Sequence, residues 1–479
     1  GGLGAGGPGP PPPPGGRLAA GGHHSAAAAA GRLLVWGRGE HGQLGLGPAD
    51  ALRDAERPRE VGHLRRVSWV SCGSAHTLAV AEGGKLFSWG HARSFLGHGD
   101  HRTQREHVKH VAQPREVAAL SAEGPVARAA AGWAHSVCLL RGTPGRVFAW
   151  GCGGRGRLGL GDEEDAPLPR EVRAFPQAEG TAGAPPEGVV EVAAGAEHSA
   201  ALGAAGAVWT WGSGASCGLG LPSREEAVTA PRRVERGLPP GFRAGALALG
   251  AFHGALLGAG PGALAGAVFT FGRGESGQLG HGLAQDEPRP RRVRDLEDLP
   301  ARAVGAGAFH TLVGLASGEL VAFGSTGAPP GLEGAEGRLG CDPTEAPAPS
   351  GRGGGDPGGG GGVGGGAAPA PPARYLAKPR LVLGPWQARE GSEVVAVAGG
   401  GYHSAFATRA GEVFTMGARA GGRLGRPWRR DDGGTSCAEP RRVALPARFG
   451  SPDPASQDLG SQVGHLLITD SLLPEHRAL

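Results

Sequence analysis

Short apolar runs that end in glycine recur along this chain of 479 residues. Examples are "LFSWG" (86–90), "VFAWG" (147–151) and "VWTWG" (208–212), which are rich in aromatic and β-branched residues. Runs of this length and composition favour strands over helices. Further apolar runs lie before and after a recurring histidine, as in "VVEVAAG" (189–195), and another ends in P-R-x-V. The pattern therefore predicts about four short strands in each period.

Four landmarks repeat in a fixed order. The first is the histidine of a G-x-x-H turn: His24, His76, His135, His198, His253, His310 and His403. The second is a large apolar residue followed by glycine: Trp36, Trp89, Trp150, Trp211, Phe271, Phe323 and Met416. A glycine-rich turn ending in Leu-Gly comes third, and P-R-x-V comes fourth. We expect each large apolar residue to pack between neighbouring repeats.

The repeat length indicates the architecture. Successive histidines are 52 to 63 residues apart, apart from a final interval of 93. Four short antiparallel strands with their turns fit such a period, which is the size of a propeller blade. Seven copies therefore predict an all-β, seven-bladed β-propeller with about four short antiparallel strands per blade.

Composition divides the chain into a propeller and three segments outside its blades. Residues 1–17 are rich in proline and glycine with nothing to bury, which predicts a disordered tail. The propeller is predicted to span 18–471, with a flexible Gly/Pro-rich insertion (341–374) in the sixth repeat and a C-terminal tail at 472–479.

The first repeat lacks a convincing strand before its histidine, because "RLAAGGHH" (17–24) is a poor counterpart of the β-branched runs elsewhere. The segment "QVGHLLITDS" (462–471) follows the last P-R-x-V without a Trp-Gly after it. We therefore expect residues 463–469 to close the ring by pairing with the N-terminal blade, which would remove the open edges.

Charge and cysteine content exclude several classes of protein. The formal net charge is only +4, and the six cysteines lie far apart without a C-x-x-C pair. This argues against a zinc site and a disulfide framework, and it favours a reducing compartment, the cytoplasm or the nucleus. No apolar run is long enough to span a membrane. The chain begins at glycine and contains one methionine, so we expect a missing N-terminus whose targeting signal is unknown.

The seven histidines suggest chemistry, but their spacing argues against it. One histidine per repeat would be spread around a ring, so neither a metal centre nor a catalytic pair is predicted. We expect these histidines to be structural and to bond the backbone within each blade. The sequence has no phosphate-binding G-x-x-x-x-G-K-[ST] loop. We therefore predict a binding protein without cofactor, metal or covalent catalysis, and a monomer.

The order G-x-x-H, apolar run, W-G, "GRGEHGQLG" (37–45) and P-R-x-V resembles the regulator of chromosome condensation repeat family, whose members form seven-bladed propellers. The resemblance covers about residues 21–443. It implies guanine-nucleotide exchange on a Ran-type small GTPase, nucleosome docking, light sensing, or scaffolding of ubiquitin-ligase or trafficking complexes. The fold alone does not choose among these functions.

In the exchange-factor branch, acidic and polar residues on one propeller face contact the GTPase. The candidates here are the variable loops after each glycine-rich turn, and the residues predicted to contact a basic partner are Asp100, Asp162, Glu163, Glu164 and Asp165. The short basic runs at 288–295 and 426–432 are each followed by acidic residues, which argues against nucleic-acid or nucleosome binding.

The light-sensing branch uses tryptophans from a G-W-R-H-T signature. Here "GWAHS" (132–136) is similar, but Trp133 is the one tryptophan at this position among the seven turns. The sequence therefore favours a protein-interaction propeller that regulates a small GTPase by guanine-nucleotide exchange. The alternative is a non-exchanging scaffold or adaptor in a ubiquitin-ligase, trafficking or chromatin complex.

Overall fold

The structure, a computed structural model, describes most of the repeated part of the chain. The described residues are 18–50, 52–92, 96–99, 110–142, 145–173, 175, 188–214, 219–221, 225–326, 339, 375–427 and 436–446, with backbone alone for 436–438. The segments predicted to form tails (1–17, 472–479), the insertion (341–374) and the closing strand (463–469) lie outside these residues.

Seven four-stranded antiparallel sheets make up this part of the chain, and in each the strands are neighbours in chain order. Blades 1 to 4 contain β1 (Leu18–Ala20), β2 (His24–Ala29), β3 (Arg32–Gly37), β4 (Ala55–Glu60), β5 (Trp69–Cys72), β6 (His76–Val80), β7 (Leu86–His91), β8 (His110–Glu116), β9 (Val126–Ala131), β10 (His135–Leu140), β11 (Val147–Gly151), β12 (Ala166–Val172), β13 (Val189–Ala194), β14 (His198–Gly203), β15 (Val208–Ser213) and β16 (Ala227–Arg233). Blades 5 to 7 contain β17 (Ala244–Leu249), β18 (His253–Gly258), β19 (Val268–Gly272), β20 (Glu287–Arg292), β21 (Ala301–Ala306), β22 (His310–Leu315), β23 (Leu320–Ser325), β24 (Tyr375–Val382), β25 (Val394–Gly399), β26 (His403–Thr408), β27 (Val413–Ala418) and β28 (Ser436–Arg442). The predicted seven-bladed β-propeller is confirmed.

Short 3₁₀ turns are the only helical elements among the described residues. They lie at Pro48–Asp50, Glu82–Gly84, Ala118–Leu120, Gly154–Gly156, Arg294–Leu296, Pro385–Ala388 and Ala420–Gly422. The first strands of neighbouring blades contact one another around the ring, including β25 with β1, so these strands line the central axis. The fourth strand of each blade is therefore on the outside.

The P-R-x-V landmark explains this outer strand. In β12 the pattern APLPREV alternates between buried and more exposed positions, with Pro169 and Arg170 on the outer edge. Proline and charge at an edge discourage pairing with another chain. The valine that ends each landmark is buried in every blade: Val61, Val117, Val172, Val234, Val293, Val382 and Val443.

The large apolar residue of each repeat lies against the preceding blade, as the sequence predicts. All seven are buried, and the indole Nε1 of Trp89 donates to the carbonyl of Gln43 in blade 1 at 2.9 Å. A Cβ on Gly45, in the Leu-Gly of that same loop, would lie 2.6 Å from this Nε1. Glycine is therefore required where the loop backbone approaches the ring of the next blade.

The histidines are structural, but the prediction that they bond the backbone within their own blade is wrong. Six of them bond through Nε2 to a hydroxyl of the next blade. The pairs are His24 with Thr77 (2.8 Å), His76 with Ser136 (3.1 Å), His135 with Ser199 (2.8 Å), His253 with Thr311 (2.9 Å), His310 with Ser404 (2.8 Å) and His403 with Ser25 (2.6 Å). Adjacent residues of a strand face opposite sides, so the histidine and the hydroxyl that follows it serve opposite neighbours.

The hydroxyl's own proton fixes the direction of this bond. Thr77 donates to the carbonyl of Gln43 at 2.8 Å, and Ser199 donates to that of Arg157 at 2.8 Å. The hydroxyl must then accept from the imidazole, which requires a proton on Nε2. Burial keeps these rings neutral: it lowers the pKa of His24 to about 3 and that of His76 to about 4.

One junction departs from this pattern. Blade 5 has Gly254 where the other blades have serine or threonine, and the Nε2 of His198 in blade 4 is buried without a hydrogen-bond partner. The ring of Phe271 lies where a side chain on Gly254 would extend. An aromatic ring thus occupies the place of the hydroxyl between blades 4 and 5, and the His198 ring bonds instead to the backbone of His253 in blade 5.

Backbone hydrogen bonds also link the G-x-x-H turns into a closed circle around the axis. They run from Gly22 N to Gly73 O, Ser74 N to Gly132 O, Trp133 N to Gly195 O, Ala196 N to Ala251 O, Ala251 N to Gly307 O, Ala308 N to Gly400 O, and Gly401 N to Gly21 O, at 3.0 to 3.3 Å. The last bond joins blade 7 to blade 1. A Cβ on Gly73 would lie 2.5 Å from the Gly132 carbonyl oxygen, so the first glycine of the turn permits this close approach.

The expectation that blade 1 lacks its first strand is also wrong. Residues 18, 19 and 20 pair with 27, 26 and 25, which completes a four-stranded sheet. Small residues suffice here because the innermost strand is short and is covered by β25 and β26 of blade 7. Pairing by 463–469 lies outside the described residues and stays a prediction.

The two classes of junction predict different costs of mutation. We expect His135→Ala to reduce the free energy of unfolding by roughly 1–2 kcal/mol more than His198→Ala, because only the first change leaves a buried hydroxyl without its donor. Both imidazoles are buried, so the loss of packing is matched. Urea unfolding followed by tryptophan fluorescence measures the difference, and equal losses would contradict the assigned role of the hydroxyl.

Candidate protein-interaction face

One end of the propeller carries both the G-x-x-H turns and the long loops between the third and fourth strands. Antiparallel order places these two connections at the same end of every blade, and we call this end the loop face. It includes, for example, the turn 132–134 and the loop 152–165 of blade 3. The predicted partner-binding residues all belong to such loops, although Asp100 lies outside the described residues.

Some carboxylates of the acidic loop of blade 3 (residues 161–167) bond to groups of the same blade. Asp162 accepts a hydrogen bond from the Glu164 N–H at 3.1 Å and pairs with Arg170 at 3.3 Å. Glu163 accepts from the Arg155 N–H at 2.8 Å. Glu163 and Glu164 nevertheless remain exposed, so their charges face solvent on the loop face.

Asp165 occupies a structural position that the sequence analysis did not recognise. Its Oδ1 accepts from the Gly153 N–H at 2.8 Å, which holds the two ends of the loop together. The same bond joins Asp54 to Gly39 at 2.9 Å and Asp286 to Gly274 at 2.8 Å. The signal was present in the sequence as an aspartate just before the outer strand in three repeats. Contact between Asp165 and a partner stays a prediction.

Blade 4 extends the acidic region. Glu226 is exposed and pairs with Arg155 of blade 3 at 3.5 Å, while Glu225 bonds to Arg232 of its own blade at 2.7 Å. The Arg232 guanidinium lowers the pKa of Glu225, so that carboxylate stays ionised. We define Glu163, Glu164, Glu225 and Glu226 as the acidic sector. It spans two neighbouring blades and suits a basic partner.

Near the axis, the loop face carries aromatic residues that were not predicted to form a site. Trp133 is 54% exposed, and its ring lies 6.4 Å from that of Phe252, which lies 6.2 Å from that of Phe309. Tyr402 stacks on His23 at 5.5 Å. The signal was the third residue of the G-x-x-H turn, which is aromatic in blades 5, 6 and 7.

Other kinds of site find no support in the part of the chain that the structure describes. No group of three or more histidine, cysteine, aspartate or glutamate side chains converges there in a way that could hold a metal ion. No described helix has the length and apolar character needed to cross a membrane.

Seven four-stranded blades closed into a ring, with variable loops on one face, define a β-propeller of the repeat type that the landmarks indicated. Residues 15–313, more than half of the chain, match the model of the RCC1-like domain, and the chain belongs to this family. The resemblance drawn from the repeated landmarks is thereby confirmed.

Named relatives show the range of the family. The ultraviolet-B receptor UVR8 of Arabidopsis thaliana is 32% identical over 295 residues, which cover 60% of this chain and 60% of UVR8. The human E3 ubiquitin-protein ligase HERC2 is 33% identical over 286 residues, covering 59% of this chain and 5% of HERC2. The chain thus spans less than two thirds of the length of these relatives.

A solved structure of similar fold is Prp20p from Saccharomyces cerevisiae. It superposes with a TM-score of 0.65 at 20% sequence identity, and the match covers 88% of each chain. At this identity the similarity shows the shared fold alone.

Removal of Asp165 or of Glu164 should change the free energy of unfolding by different amounts. We expect Asp165→Ala to lower the free energy of unfolding by about 1 kcal/mol, because it leaves the Gly153 N–H without its acceptor. The matched change Glu164→Ala removes another exposed carboxylate of the same loop. It should cost less than about 0.5 kcal/mol, since no backbone N–H depends on that side chain. Chemical denaturation of the two variants measures this difference, and an equal cost would contradict the structural role of Asp165.

Proposed function

We propose that this chain is a protein-interaction propeller that binds a small GTPase and promotes guanine-nucleotide exchange. The observation that carries the proposal is the acidic sector, whose exposed carboxylates lie on neighbouring blades of the loop face. The family likeness supports it, because Prp20p is described by its binding to Gsp1p and to histones.

Exchange needs no covalent chemistry from the propeller. If the chain binds the nucleotide-free GTPase more tightly than the loaded form, linkage requires that it weaken nucleotide binding by the same factor. A ligand shifts an equilibrium only through this difference in affinity. The propeller would therefore act as a rigid surface that selects the empty state of its partner.

The acidic sector would contribute chiefly to encounter and orientation. Exposed charge of one sign raises the association rate of an oppositely charged partner, and the effect falls as ionic strength rises. Glu163, Glu164 and Glu226 are placed to act in this way, since none of them is buried. Asp162 and Asp165 would hold the loop in shape through their bonds to Glu164, Arg170 and Gly153.

A scaffold without exchange activity is the second candidate. HERC2 is named as a ubiquitin ligase, and the matched region is 5% of its length, so a related propeller can form a small part of a larger assembly. Histones are also basic, so the same acidic sector could serve a chromatin adaptor. Cytoplasmic or nuclear location and the monomeric state stay predictions from the sequence.

The two functions differ in their response to nucleotide removal. We expect affinity purification from cell lysate to recover a small GTPase strongly only when EDTA has stripped magnesium and nucleotide. The recovered GTPase, loaded with a fluorescent guanine nucleotide, should then release it faster when the propeller is added. Charge reversal by Glu163→Arg with Glu164→Arg should weaken capture by about tenfold.

A matched control reverses two exposed acids at the opposite end of the propeller, Glu235→Arg with Asp298→Arg, and should leave capture unchanged. Partners that bind equally with and without EDTA, with no GTPase among them, would exclude exchange and support the scaffold. Histones recovered in this way would indicate a chromatin complex.

A further inference from the structure

The aromatic residues around the axis form a surface separate from the acidic sector. We define Trp133, Phe252, Phe309, Tyr402 and His23 as the axial aromatic surface. It is contributed by the turns of blades 3, 5, 6, 7 and 1, which are held together by the circle of backbone hydrogen bonds. Exposed aromatic area on a rigid frame is typical of binding hot spots.

An arginine beside this surface lacks the carboxylate that its counterpart has. Arg157 and Arg423 both precede the Leu-Gly of their loops, and both are buried. Arg157 reaches the next blade and pairs with Glu197 at 3.5 Å. Glu197 directly precedes the repeat histidine of blade 4, and His23 occupies the same position in blade 1. Arg423 therefore faces an imidazole where Arg157 faces a carboxylate.

The guanidinium of Arg423 is buried and makes no direct ion pair with any described residue. Arg423 is only 5% exposed, and its Nε is buried without a hydrogen-bond partner. The guanidinium lies over the ring of Tyr402 at 5.6 Å. Burial, and then the charge of Arg38, lower its pKa to about 10, although Tyr402 and the Asp54 carboxylate act in the opposite direction. The guanidinium is therefore still cationic at neutral pH. A charge buried in this way is costly unless a counter-ion is supplied.

The two carboxylates near this corner, Glu40 and Asp54, are each engaged with other groups. Arg38 and His41 share a single carboxylate, Glu40, at 3.3 and 3.5 Å. Asp54 uses one oxygen to accept from the Gly39 N–H. Burial and the surrounding positive charges lower the pKa of His23 to about 4, so its ring is neutral at physiological pH.

We propose that the axial aromatic surface binds an acidic peptide segment of a partner protein, with one side-chain carboxylate at Arg423 and Arg38 and an adjacent apolar side chain against Trp133, Phe252 and Phe309. The segment supplies in trans the carboxylate that Glu197 supplies to Arg157 within the chain. This inference concerns a different surface from the acidic sector and does not depend on the proposed exchange function.

The charges on the rest of the surface favour a peptide over a polyanion. Arg273 lies over Phe252 at 5.6 Å, but it is already paired with Glu275 at 2.6 Å. Three carboxylates belong to the loops and turns of the same face and would repel a row of phosphates: Glu197, Glu40 and Glu275. A single carboxylate next to an apolar side chain therefore fits better than a nucleic-acid backbone.

Selection from a random peptide library displayed on phage, with the whole chain as target, tests the proposal. We expect the enriched peptides to combine aspartate or glutamate with a neighbouring leucine, phenylalanine or tryptophan. A labelled peptide of the enriched sequence should bind at least about tenfold more weakly to the variant Trp133→Ala or Arg423→Met. Changing its acidic residue to the amide should have a similar effect.

The most direct variant supplies the missing carboxylate within the chain. His23→Glu should pair with Arg423 and reduce peptide binding at least about tenfold, whereas His23→Gln should bind nearly as well as the parent. Two exposed residues at the other end of the propeller provide matched controls, since Leu383→Ala and Arg66→Gln should not change binding. Circular dichroism confirms that each variant is folded.

Several results would overturn the inference. They are enrichment of basic peptides, no enrichment, or equal binding by the parent and Trp133→Ala. Light scattering could also show that the parent chain is a dimer and that Trp133→Ala is a monomer. This result would mean that a second copy of the chain covers the surface. Charge reversal at Glu163 and Glu164 should leave peptide binding unchanged, which separates this test from that of GTPase binding.

Discussion

Each blade depends on its neighbour because the hydrogen-bond partners of its buried polar groups lie across the junction. The carbonyl of Gln43 in blade 1 accepts from both Thr77 and Trp89 of blade 2, and His24 donates back to the Thr77 hydroxyl. A buried polar group left without a partner costs about 1–3 kcal/mol. A blade on its own would expose several such groups as well as its apolar faces, so the ring is stable as a closed whole.

Two positions depart from this repeated network, and the other blades show which side-chain group each of them lacks. Blade 5 has Gly254 in place of a hydroxyl residue. Phe271 fills the space, and His198 bonds to the backbone of His253, so this junction is closed by packing and by a different hydrogen bond. Blade 1 has His23 in place of a carboxylate, and among the described residues the charge of Asp54 acts on Arg423 without forming an ion pair with it. The first departure is compensated within the fold, whereas at the second we propose that a partner supplies the carboxylate. Local rules that fail without compensation are where functional sites are expected.

Sequence spacing predicted the strands, the number of blades and the burial of the apolar landmarks, because these depend on patterns within one repeat. The direction of the histidine bonds was not predictable in this way, since the acceptor of His24 is Thr77 on the next blade. The strand at Leu18–Ala20 was missed because its small residues have weak strand propensity, and its stability comes from neighbouring blades. The carboxylates of the candidate site were predicted by charge alone, so the internal role of Asp165 was not visible.

Amide hydrogen exchange at the seven turns tests the central claim that one circular network holds the ring. The diagnostic amides are those that cross the junctions: Gly22, Ser74, Trp133, Ala196, Ala251, Ala308 and Gly401. The account predicts that all seven are strongly protected and exchange together, in a single cooperative opening. Rapid exchange at Gly401 while the other six stay protected would contradict it, because the ring would then open between blades 7 and 1 independently of the rest.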